Sequence, residues 1–370
     1  MSKILVTGGA GFIGSHLVDA LVSQGHQVVI YDNFEPQVHK VEPDYLNKNA
    51  ELVKADVREK DSLKKAILDT DIIFHQAAMV GVGQSMYQVE RYVDVNTFAT
   101  AKLLDILVNQ EHDVKKVIVA SSMSIYGEGA YNCENCGIVY PPLRSDEQMK
   151  RGQWEMLCPS CGQEARPIPT DETKPLNPTS IYAVTKKDQE EMCMAVGRSY
   201  GIPTVALRYF NVFGPRQALS NPYTGVCAIF SSRIKNDNPP TIFEDGLQSR
   251  DFISVHDIVQ ANLLALNNSC ADYNVFNVGA GRQITILDMA RILAELYGKM
   301  LNPNIVNKYR SGDIRHCFAD ISKIEKLGFA PAVSIDEGMK ELVEWGRTQE
   351  ADDQGDRAYN ELENKGLVKN

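Results

Sequence analysis

The chain has 370 residues, of which 44% are hydrophobic and 23% charged, as expected for a globular protein long enough for two domains. Its net charge of -10 at pH 7 argues against a nucleic-acid or anionic-membrane partner. No apolar stretch approaches the ~18 residues of a membrane span, and the N-terminus lacks the basic and apolar regions of a signal peptide. We therefore expect a cytoplasmic protein, in which thiols stay reduced.

Short apolar segments alternate with amphipathic helical segments through the first half of the chain. Five of these segments are rich in Val and Ile and are bounded by turn or charged residues, which is typical of buried parallel strands. They are KILVTGG, QVVIYD, ELVKADV, DIIFHQAA and KKVIVASS. This alternation predicts an α/β fold with a doubly wound parallel sheet.

The second half of the chain begins with a long helix, predicted over residues 181–200, and a strand, TVALRYFNV. Beyond residue 212 the pattern changes to loops, short strands and helices rich in Pro and Asn. We therefore predict a first domain over residues 1–212, interrupted by an insertion over 130–168, and a smaller domain over 213–348. The last segment, 349–370, is polar and weakly periodic, which is typical of a mobile tail.

A glycine-rich turn, TGGAGFIG, lies between the first predicted strand and the first predicted helix. Its three regularly spaced glycines are Gly8, Gly11 and Gly14. Glycines there permit a tight turn and let backbone amides approach a pyrophosphate at the helix N-terminus. Asp32 ends the second strand, where a carboxylate accepts hydrogen bonds from the adenosine ribose and repels a 2′-phosphate, so NAD is favoured over NADP. Asp56 and Val57 end the third strand, where an adenine would lie.

Tyr182 and Lys186 are four residues apart in SIYAVTK, on one face of the long helix near its start. A free phenol has a pKa of about 10 and is a poor base at neutral pH, but an adjacent cation favours the phenolate. Ser122 ends the fifth strand at the carboxyl edge of the sheet, where open α/β sheets bind ligands. Its hydroxyl could hydrogen-bond the same substrate oxygen from which Tyr182 would take a proton. These three residues predict a site for proton transfer.

Together these residues resemble the extended short-chain dehydrogenase/reductase family, specifically its NAD-dependent nucleotide-sugar epimerase/dehydratase branch. The segments HQAA, RYFNVFGP, SRDFISVHD and RSGD also match it, and the likeness covers residues 3–346. It implies a Rossmann fold, bound NAD, a nucleotide-sugar substrate and a homodimer. The catalytic residues would be Ser122, Tyr182 and Lys186.

The resemblance also implies ligand contacts, carried over position by position. The cofactor contacts would be Gly8, Gly11, Phe12, Ile13, Gly14, Asp32, Asn33, Asp56, Val57, Ala77, Ala78, Asn96, Tyr182 and Lys186. The substrate contacts would be Ser85, Ser122, Asn211, Phe243, Arg250, Arg310 and Asp313. Arginines suit a diphosphate, because their guanidinium groups bind its oxygens in pairs.

The residues around Ser122 narrow the reaction. Dehydration of a sugar needs a proton donor and an acceptor besides the tyrosine. Family dehydratases resemble Thr-Asp-Glu where this chain has Ser122, Met123 and Ser124, and the decarboxylase branch favours a Glu near that position. We therefore predict a C4 epimerase that acts through a transient 4-keto sugar. Val80 stands where galactose epimerases of the family have a Lys, which argues against that type.

Two other functions remain open. An NAD(P)H-dependent nucleotide-sugar ketoreductase would use the same residues but consume its reduced cofactor at each turnover, and only the preference of Asp32 for NAD speaks against it. A non-catalytic NAD-binding scaffold protein would use the cysteine-containing insertion for contacts. The intact set of Ser122, Tyr182 and Lys186 argues against this last function.

Four of the eight cysteines form the pattern Cys-x2-Cys-x21-Cys-x2-Cys. They are Cys133, Cys136, Cys158 and Cys161. Two such pairs, each followed by a glycine, suit a tetrahedral structural zinc with no open ligand position. The insertion has no basic stripe, which argues against nucleic-acid binding.

The position of this zinc knuckle between Ser122 and Tyr182 suggests its role. A segment of this length cannot build its own core, so a metal would supply the folding energy. We expect the knuckle to form a lid or wall of the sugar pocket. With the segments EPQVHK and MVGVGQSM, it resembles the dTDP-L-rhamnose 4-epimerase group of the family, which implies a dTDP-6-deoxyhexose substrate.

Overall fold

Seven parallel strands form the central sheet of the computed structural model, which describes residues 1–370. In spatial order they are Val275–Val278, Thr204–Tyr209, Lys116–Ser122, Ile72–His75, Lys3–Thr7, Gln27–Asp32 and Glu51–Lys54. The first strand of the chain lies inside the sheet, and the strand order reverses beside it. This confirms the doubly wound arrangement and leaves a crevice at the carboxyl ends of the strands where the order reverses.

Alternate residues of each strand pack into two separate cores. Ile4 and Val6 pack with Leu17 of the first helix on one face of the sheet, whereas Leu5 packs with Leu103 on the other. Successive side chains of a strand point to opposite faces, so a strand covered on both faces must be apolar throughout. This is why these strands read as nearly continuous runs of Val and Ile.

Helices cover both faces of the sheet and form most of the smaller C-terminal region. The α-helices are Phe12–Ser23, Lys60–Ile67, Val82–Ser85, Val89–Tyr92, Ala99–Asn109, Asp146–Lys150, Ile181–Tyr200, Val226–Lys235, Val255–Asn267, Ile286–Tyr297, Ser322–Glu325, Ile335–Thr348 and Gly355–Asn364. The helices of other types are a π-helix, Val93–Phe98, and two 3₁₀-helices, Met123–Tyr126 and Ser269–Ala271. None of the helices combines the length and the apolar character that crossing a membrane requires.

The smaller C-terminal region has its own core and several short strand pairs. Phe230, Leu293 and Leu342, from three different helices, pack together in this core. The strand pairs are Asn211–Phe213 with Phe252–Ser254, Thr241–Ile242 with Asn304–Ile305, Ser249–Arg250 with Ile284–Thr285 and with His316–Cys317, and Tyr309–Arg310 with Val368–Lys369. The region therefore packs around a core of its own, distinct from the two cores of the large sheet.

Two parts of the chain differ from the expectation based on sequence. The helix Val255–Asn267 packs on the large sheet, and the strand Val275–Val278 belongs to that sheet. Both follow residue 212. The polar tail contains the helix Gly355–Asn364, which ends before a short final strand. Ala358 and Leu362 are buried and four residues apart, so one apolar face holds this helix in place although its composition is polar.

The insertion folds as a three-stranded antiparallel sheet. Its strands are Gly137–Val139, Ala130–Cys133 and Arg166–Ile168. Its core consists of six buried residues, Tyr131, Cys133, Val139, Met156, Cys158 and Ala165. So small a core rarely supports a segment of this size without a further cross-link. Two of its six members are cysteines, which ties the core to the cysteine cluster.

Candidate active site

One cavity of about 640 Å³ extends from the carboxyl edge of the sheet into the smaller C-terminal region. Its volume suits a small-molecule site. All three predicted catalytic residues line it, as do all the predicted cofactor and substrate residues except Asn96 and Ser85. The fold thus brings predicted site residues as far apart in the chain as Gly8 and Asp313 into one continuous space.

The glycine turn forms one end of this cavity. Gly8 has a φ of +71°, and a Cβ there would lie 2.9 Å from the backbone of Ala77. A Cβ on Gly14 would lie 2.1 Å from the carbonyl oxygen of Gly8. Both positions therefore require glycine. The helix Phe12–Ser23 begins directly after this turn without a side-chain cap, so its first amides are available to a pyrophosphate.

Asp32 lies beside the glycine turn with both carboxylate oxygens held by the backbone. Its Oδ2 accepts a hydrogen bond from the amide of Ala10 at 3.0 Å, and its Oδ1 accepts one from the amide of Phe34 at 2.9 Å. Asn33, directly after Asp32, donates to Asp56, which lies just beyond the end of the third strand, at 2.7 Å. Amides for a pyrophosphate and a fixed carboxylate for a ribose are the groups that NAD requires, so these residues fit that cofactor.

Tyr182 lies in the first turn of the helix Ile181–Tyr200, whose N-cap is Ser180. The Ser180 side chain accepts a hydrogen bond from the amide of Ala183, which fixes the helix start and the direction of the tyrosine. Burial raises the pKa of Tyr182, and hydrogen bonding with the Ser122 hydroxyl lowers it. Ser122 is itself fixed, because its Oγ accepts a hydrogen bond from the hydroxyl of Ser124 at 2.9 Å. The phenol therefore needs nearby positive charge to act as a base at neutral pH.

Lys186 lies one helical turn further on and could provide that charge. Burial lowers its pKa to about 8, so the ammonium is still the main form at neutral pH. Its Nζ donates to Oε1 of Gln189 at 2.8 Å, and Gln189 donates to Thr100 at 2.9 Å. Gln189 was not predicted, although its spacing of three residues from Lys186 on the same helix face could have indicated it.

A neutral histidine lies behind this pair. The two ring nitrogens of His75 contact the hydroxyls of Thr7 at 2.8 Å and Thr100 at 2.9 Å. Burial, with a further contribution from the charge of Lys186, lowers the pKa of His75 to about 3. The imidazole is therefore uncharged and adds no second cation. It connects the first and fourth strands to the helix Ala99–Asn109, and it also contacts Gln189 of the helix Ile181–Tyr200 at 3.3 Å.

Two predicted ligand residues lie outside the cavity lining. Asn96 is fully buried in the π-helical turn, where its side chain bonds the amide of Met79 at 2.7 Å and the hydroxyl of Thr185 at 3.0 Å. It joins the loop after the fourth strand to the catalytic helix. Ser85 is also fully buried and donates to the carbonyl of Val82 at 2.7 Å. A direct ligand contact by either residue stays a prediction.

The other end of the cavity carries the predicted substrate residues. The side-chain oxygen of Asn211 is buried without a hydrogen-bond partner, and a ligand donor would remove the free-energy cost of that arrangement. Arg310 donates to Asp313 at 2.7 Å, and its guanidinium carbon lies 4.7 Å from the centre of the Phe243 ring. Arg250 donates to backbone carbonyls, including that of Ile314 at 2.8 Å. Two fixed guanidinium groups suit a diphosphate.

The insertion does not form a wall of this cavity, because no residue between 130 and 168 lines it. The prediction that the insertion forms a lid or wall of the sugar pocket is therefore wrong. The insertion packs behind the cavity wall instead. Arg144 donates to both carboxylate oxygens of Glu244 at 2.8 Å, and Arg315 donates to Glu244 at 3.0 Å and to Glu155 at 3.0 Å. Because Glu244 follows Phe243, the insertion supports the substrate end from outside.

The four cysteines of the insertion form one cluster. Their sulfur atoms all lie within 4.8 Å of one another, and those of Cys133 and Cys161 are 3.5 Å apart. Tetrahedral zinc with bonds of about 2.3 Å would separate its sulfur ligands by about 3.8 Å. Gly137 and Gly162, each directly after one cysteine pair, have φ values of 72° and 75°, which glycine adopts without strain. The cluster therefore fits a tetrahedral metal.

Comparison with known proteins agrees with this geometry. The profile of the NAD dependent epimerase/dehydratase family matches residues 4–145 and 158–279. The chain is similar to a dTDP-L-rhamnose 4-epimerase of Burkholderia thailandensis, with 38% identity over 348 residues that cover 93% of this chain and 94% of the relative.

Two solved structures share the fold over nearly their whole length. The UDP-glucose 4-epimerase of Thermotoga maritima with UDP-glucose has a TM-score of 0.75 and 32% identity, covering 93% of this chain and 98% of that one. The UDP-glucuronic acid 4-epimerase of Bacillus cereus with UDP-glucuronic acid and NAD has a TM-score of 0.77 and 30% identity, covering 93% and 99%. Because the family profile includes both the glycine turn and the helix with Tyr182 and Lys186, this chain is an enzyme of the NAD dependent epimerase/dehydratase family.

Proposed function

We propose that this enzyme is a nucleotide-sugar 4-epimerase that acts through a transient 4-keto sugar. The observation that carries the proposal is that one cavity is lined by the glycine turn, by Arg250 and Arg310, and by Ser122, Tyr182 and Lys186. The glycine turn with Asp32 suits a dinucleotide, and Arg250 with Arg310 suits the diphosphate of a nucleotide sugar. Tyr182 lies where the two ligands would meet.

Tyr182 takes the proton of the C4 hydroxyl, while Ser122 hydrogen-bonds the same oxygen. Lys186 stabilises the phenolate, because an adjacent ammonium favours the charged form of the phenol. Lowering the pKa of a phenol by about three units requires roughly 4 kcal/mol of interaction. NAD bound at the glycine turn would accept a hydride from C4 and return it to the other face of the sugar. Tyr182 then gives its proton back to the C4 oxygen, so the enzyme ends each cycle unchanged.

The side chains near Ser122 support epimerisation over dehydration. Met123 follows Ser122 and lines the cavity, and it can neither donate nor accept the proton that elimination of water requires. The neighbouring Ser124 hydroxyl is bonded to Ser122. The residues at the substrate end would hold the nucleotide through its diphosphate. The 4-keto sugar itself would then be free to rotate and present its other face.

We propose a dTDP-6-deoxyhexose, such as dTDP-L-rhamnose, as the substrate. Similarity to the dTDP-L-rhamnose 4-epimerase of Burkholderia thailandensis supports this choice. Apolar side chains at the catalytic end also support it, because Val80 and Met123 suit the methyl group that a 6-deoxy sugar carries at C5. A hexose with a C6 hydroxyl would leave that hydroxyl without a polar partner at these two side chains.

The cysteine cluster leads us to propose one structural zinc ion in each chain. Four thiolates within 4.8 Å of one another fill a tetrahedral coordination sphere, so the zinc would stabilise the insertion and would not take part in the chemistry. Its contribution to function would be indirect, through the contacts of Arg144 and Glu155 with the substrate end of the cavity.

A homodimer remains our prediction for the assembly. Apolar side chains are exposed on two neighbouring helical segments, with exposed fractions of 40% for Val93, 54% for Phe98 and 38% for Val184. Thr97 and Asp188 join these segments by a hydrogen bond of 3.0 Å. A second copy of the same surface would cover this apolar patch.

Incubation of the purified enzyme with a panel of dTDP-sugars and UDP-sugars, followed by NMR, tests the proposed activity. We expect dTDP-L-rhamnose to interconvert with its C4 epimer without net change in the amount of reduced cofactor. A ketoreductase would instead consume NADH or NADPH in proportion to product. Failure to epimerise any member of the panel, with NAD bound, would contradict the proposal.

A further inference from the structure

We propose that the C-terminal strap, residues 353–369, is part of the nucleotide-binding site and that Tyr359 is a specificity-determining residue for the base. The inference rests on the proposed nucleotide-sugar function and adds a residue to it. The strap comprises the helix Gly355–Asn364 and the strand Val368–Lys369. Nothing in its polar sequence indicates a role in ligand binding.

The strap forms part of the cavity wall at the substrate end. Gly355, Ala358, Tyr359 and Leu362 all line the cavity. Ala358 and Tyr359 each lie three or four residues from both Gly355 and Leu362, so the four residues share one face of the helix. The opposite face carries charged residues and is exposed. The helix therefore turns its only apolar face towards the space in which a nucleotide would bind.

Tyr359 completes an aromatic surface next to the predicted diphosphate site. Its ring stacks on that of Phe243, with ring centres 5.8 Å apart and an angle of 17° between the planes. The guanidinium group of Arg310 lies 4.7 Å from the centre of the same Phe243 ring. Two nearly parallel aromatic rings with an adjacent cation suit a flat base attached to a diphosphate. A pyrimidine nucleoside diphosphate matches this combination.

Contacts to separate parts of the chain hold the strap in this position. The carboxylate of Glu361 accepts hydrogen bonds from Tyr87 at 3.1 Å and from Tyr223. Arg233 forms an ion pair with Asp356 at 2.7 Å. Tyr87 and Tyr223 belong to two loops, and their hydroxyls are themselves joined by a hydrogen bond of 2.8 Å, so Glu361 anchors the strap to both loops at one point.

The end of the strap is joined to the arginine that we assign to the diphosphate. The strand Val368–Lys369 pairs with Tyr309–Arg310, and Lys369 forms an ion pair with Asp146 of the insertion at 2.6 Å. No hydrogen bond or ion pair connects the strap to Ser122, Tyr182 or Lys186. The strap is therefore suited to recognise the nucleotide without taking part in proton transfer.

Calorimetric titration of the full-length enzyme with dTDP, UDP and NAD tests this inference. We expect Tyr359→Ala to weaken dTDP binding about tenfold, which corresponds to ~1.4 kcal/mol and lies within the usual cost of losing an aromatic partner for a base. Tyr359→Phe keeps the ring and should bind within about twofold of wild type. Affinity for NAD should not change in either variant. Tyr200→Ala, which removes an exposed tyrosine at the end of the catalytic helix, is the matched control.

A kinetic measurement separates recognition from chemistry. With the nucleotide sugar, Tyr359→Ala should raise KM about tenfold and leave kcat within about twofold of wild type. Melting curves show whether each variant is folded, and Tyr359→Leu keeps the apolar volume if the alanine variant unfolds. Unchanged dTDP affinity in folded Tyr359→Ala or Tyr359→Leu overturns the inference and leaves the proposed function intact. A wild type that binds neither dTDP nor UDP overturns the proposed function itself.

Discussion

Arg144 and Glu244 form a buried ion pair in which both terminal guanidinium nitrogens lie 2.8 Å from the two carboxylate oxygens. Their side chains are 1% and 3% exposed. Arg144 belongs to the insertion, and Glu244 directly follows Phe243 at the substrate end of the cavity. This pair therefore links the cysteine-containing insertion to the substrate end of the cavity.

Arg144→Met should destabilise the enzyme by about 3 kcal/mol, because removal of one partner leaves a buried charge poorly compensated. It should also weaken dTDP binding, since Glu244 then loses one of the two arginines that hold it. Arg151→Met is the control, because Arg151 is an exposed residue of the same insertion whose ion pair contributes about 0–1 kcal/mol. Urea denaturation measures both variants. Equal free energies of unfolding for the two variants would contradict the role assigned to Arg144.

The cysteine cluster predicts one zinc per chain in the purified protein. Cys158→Ser should lose the metal and loosen the insertion, whereas Cys270→Ser, at an exposed cysteine outside the insertion, should retain it. NAD binding should survive in both variants, because the glycine turn and Asp32 lie outside the insertion. Nucleotide-sugar affinity should fall only in Cys158→Ser, through loss of the Arg144 contact. Elemental analysis with calorimetry checks this, and a zinc-free wild type refutes the metal assignment.

Asp32 predicts the cofactor preference. Wild type should bind NAD at least about tenfold more tightly than NADP, which corresponds to about 1.4 kcal/mol. Asp32→Asn removes the negative charge at nearly constant volume, so the preference should shrink mainly through weaker NAD binding. Asp44→Asn, at an exposed aspartate further along the chain, is the control. Fluorescence titration with both dinucleotides measures the ratio, and equal wild-type affinities would exclude the ribose contact.

Lys186 predicts an unusual dependence of stability on pH. Burial lowers its pKa from 10.5 to about 8, so below about pH 8 the folded protein holds a buried ammonium that the unfolded chain would hold in water. This opposes folding, and the opposition fades as the pH rises from about 8 to about 10, because Lys186 then loses its proton in the folded state. Wild-type stability should therefore increase over that range relative to Lys186→Met.

The corresponding experiment compares unfolding of apo wild type and Lys186→Met between about pH 6 and pH 10. At the lower pH the inactive Met variant should be the more stable by about 1–3 kcal/mol, with the lost hydrogen bond to Gln189 reducing the gain. The difference should shrink towards pH 10. Lys187→Met, which loses only a surface contact with Glu191, should show no such trend. A wild type that is more stable than Lys186→Met at every pH would exclude a depressed lysine pKa.

The sequence predicted those parts of the site that depend on local patterns. The strands were recognisable because burial on both faces makes them apolar throughout, and the glycine turn because Gly8 and Gly14 have no room for a side chain. The spacing of Tyr182 and Lys186 on one helix became informative only together with Ser122 at the end of the fifth strand. The strand and glycine signals each lie within a few consecutive residues.

Other parts of the site depend on contacts between distant residues and left no local pattern. The strand Val275–Val278 is only four residues long, and nothing in its sequence shows that it pairs with Thr204–Tyr209. The strap contains few apolar residues, and Tyr359 stacks on a ring that lies 116 positions earlier in the chain. The place where the insertion packs could not be predicted either, because its contact with the rest of the chain includes the buried Arg144–Glu244 pair.

Tyr182→Phe is the essential control for any measurement of turnover. Loss of the hydroxyl removes the base without changing the ring, so activity should fall at least about 100-fold, in line with the usual contribution of general acid–base catalysis. Affinities for NAD and dTDP should change little. Tyr200→Phe, at the exposed end of the same helix, should keep full activity. If Tyr182→Phe keeps more than about a tenth of the wild-type activity, the activation free energy has risen by less than ~1.4 kcal/mol. Another group would then act as the base.

The most direct test of epimerisation through a 4-keto sugar is NMR of dTDP-L-rhamnose labelled with deuterium at C4. We predict that the C4 epimer forms, that deuterium stays at C4 in both epimers in ordinary water, and that no reduced cofactor accumulates. Such retention means that the atom leaves C4 and returns to the same carbon without exchange with solvent. Loss of the label to water, or formation of product only with consumption of NADH or NADPH, would contradict the account.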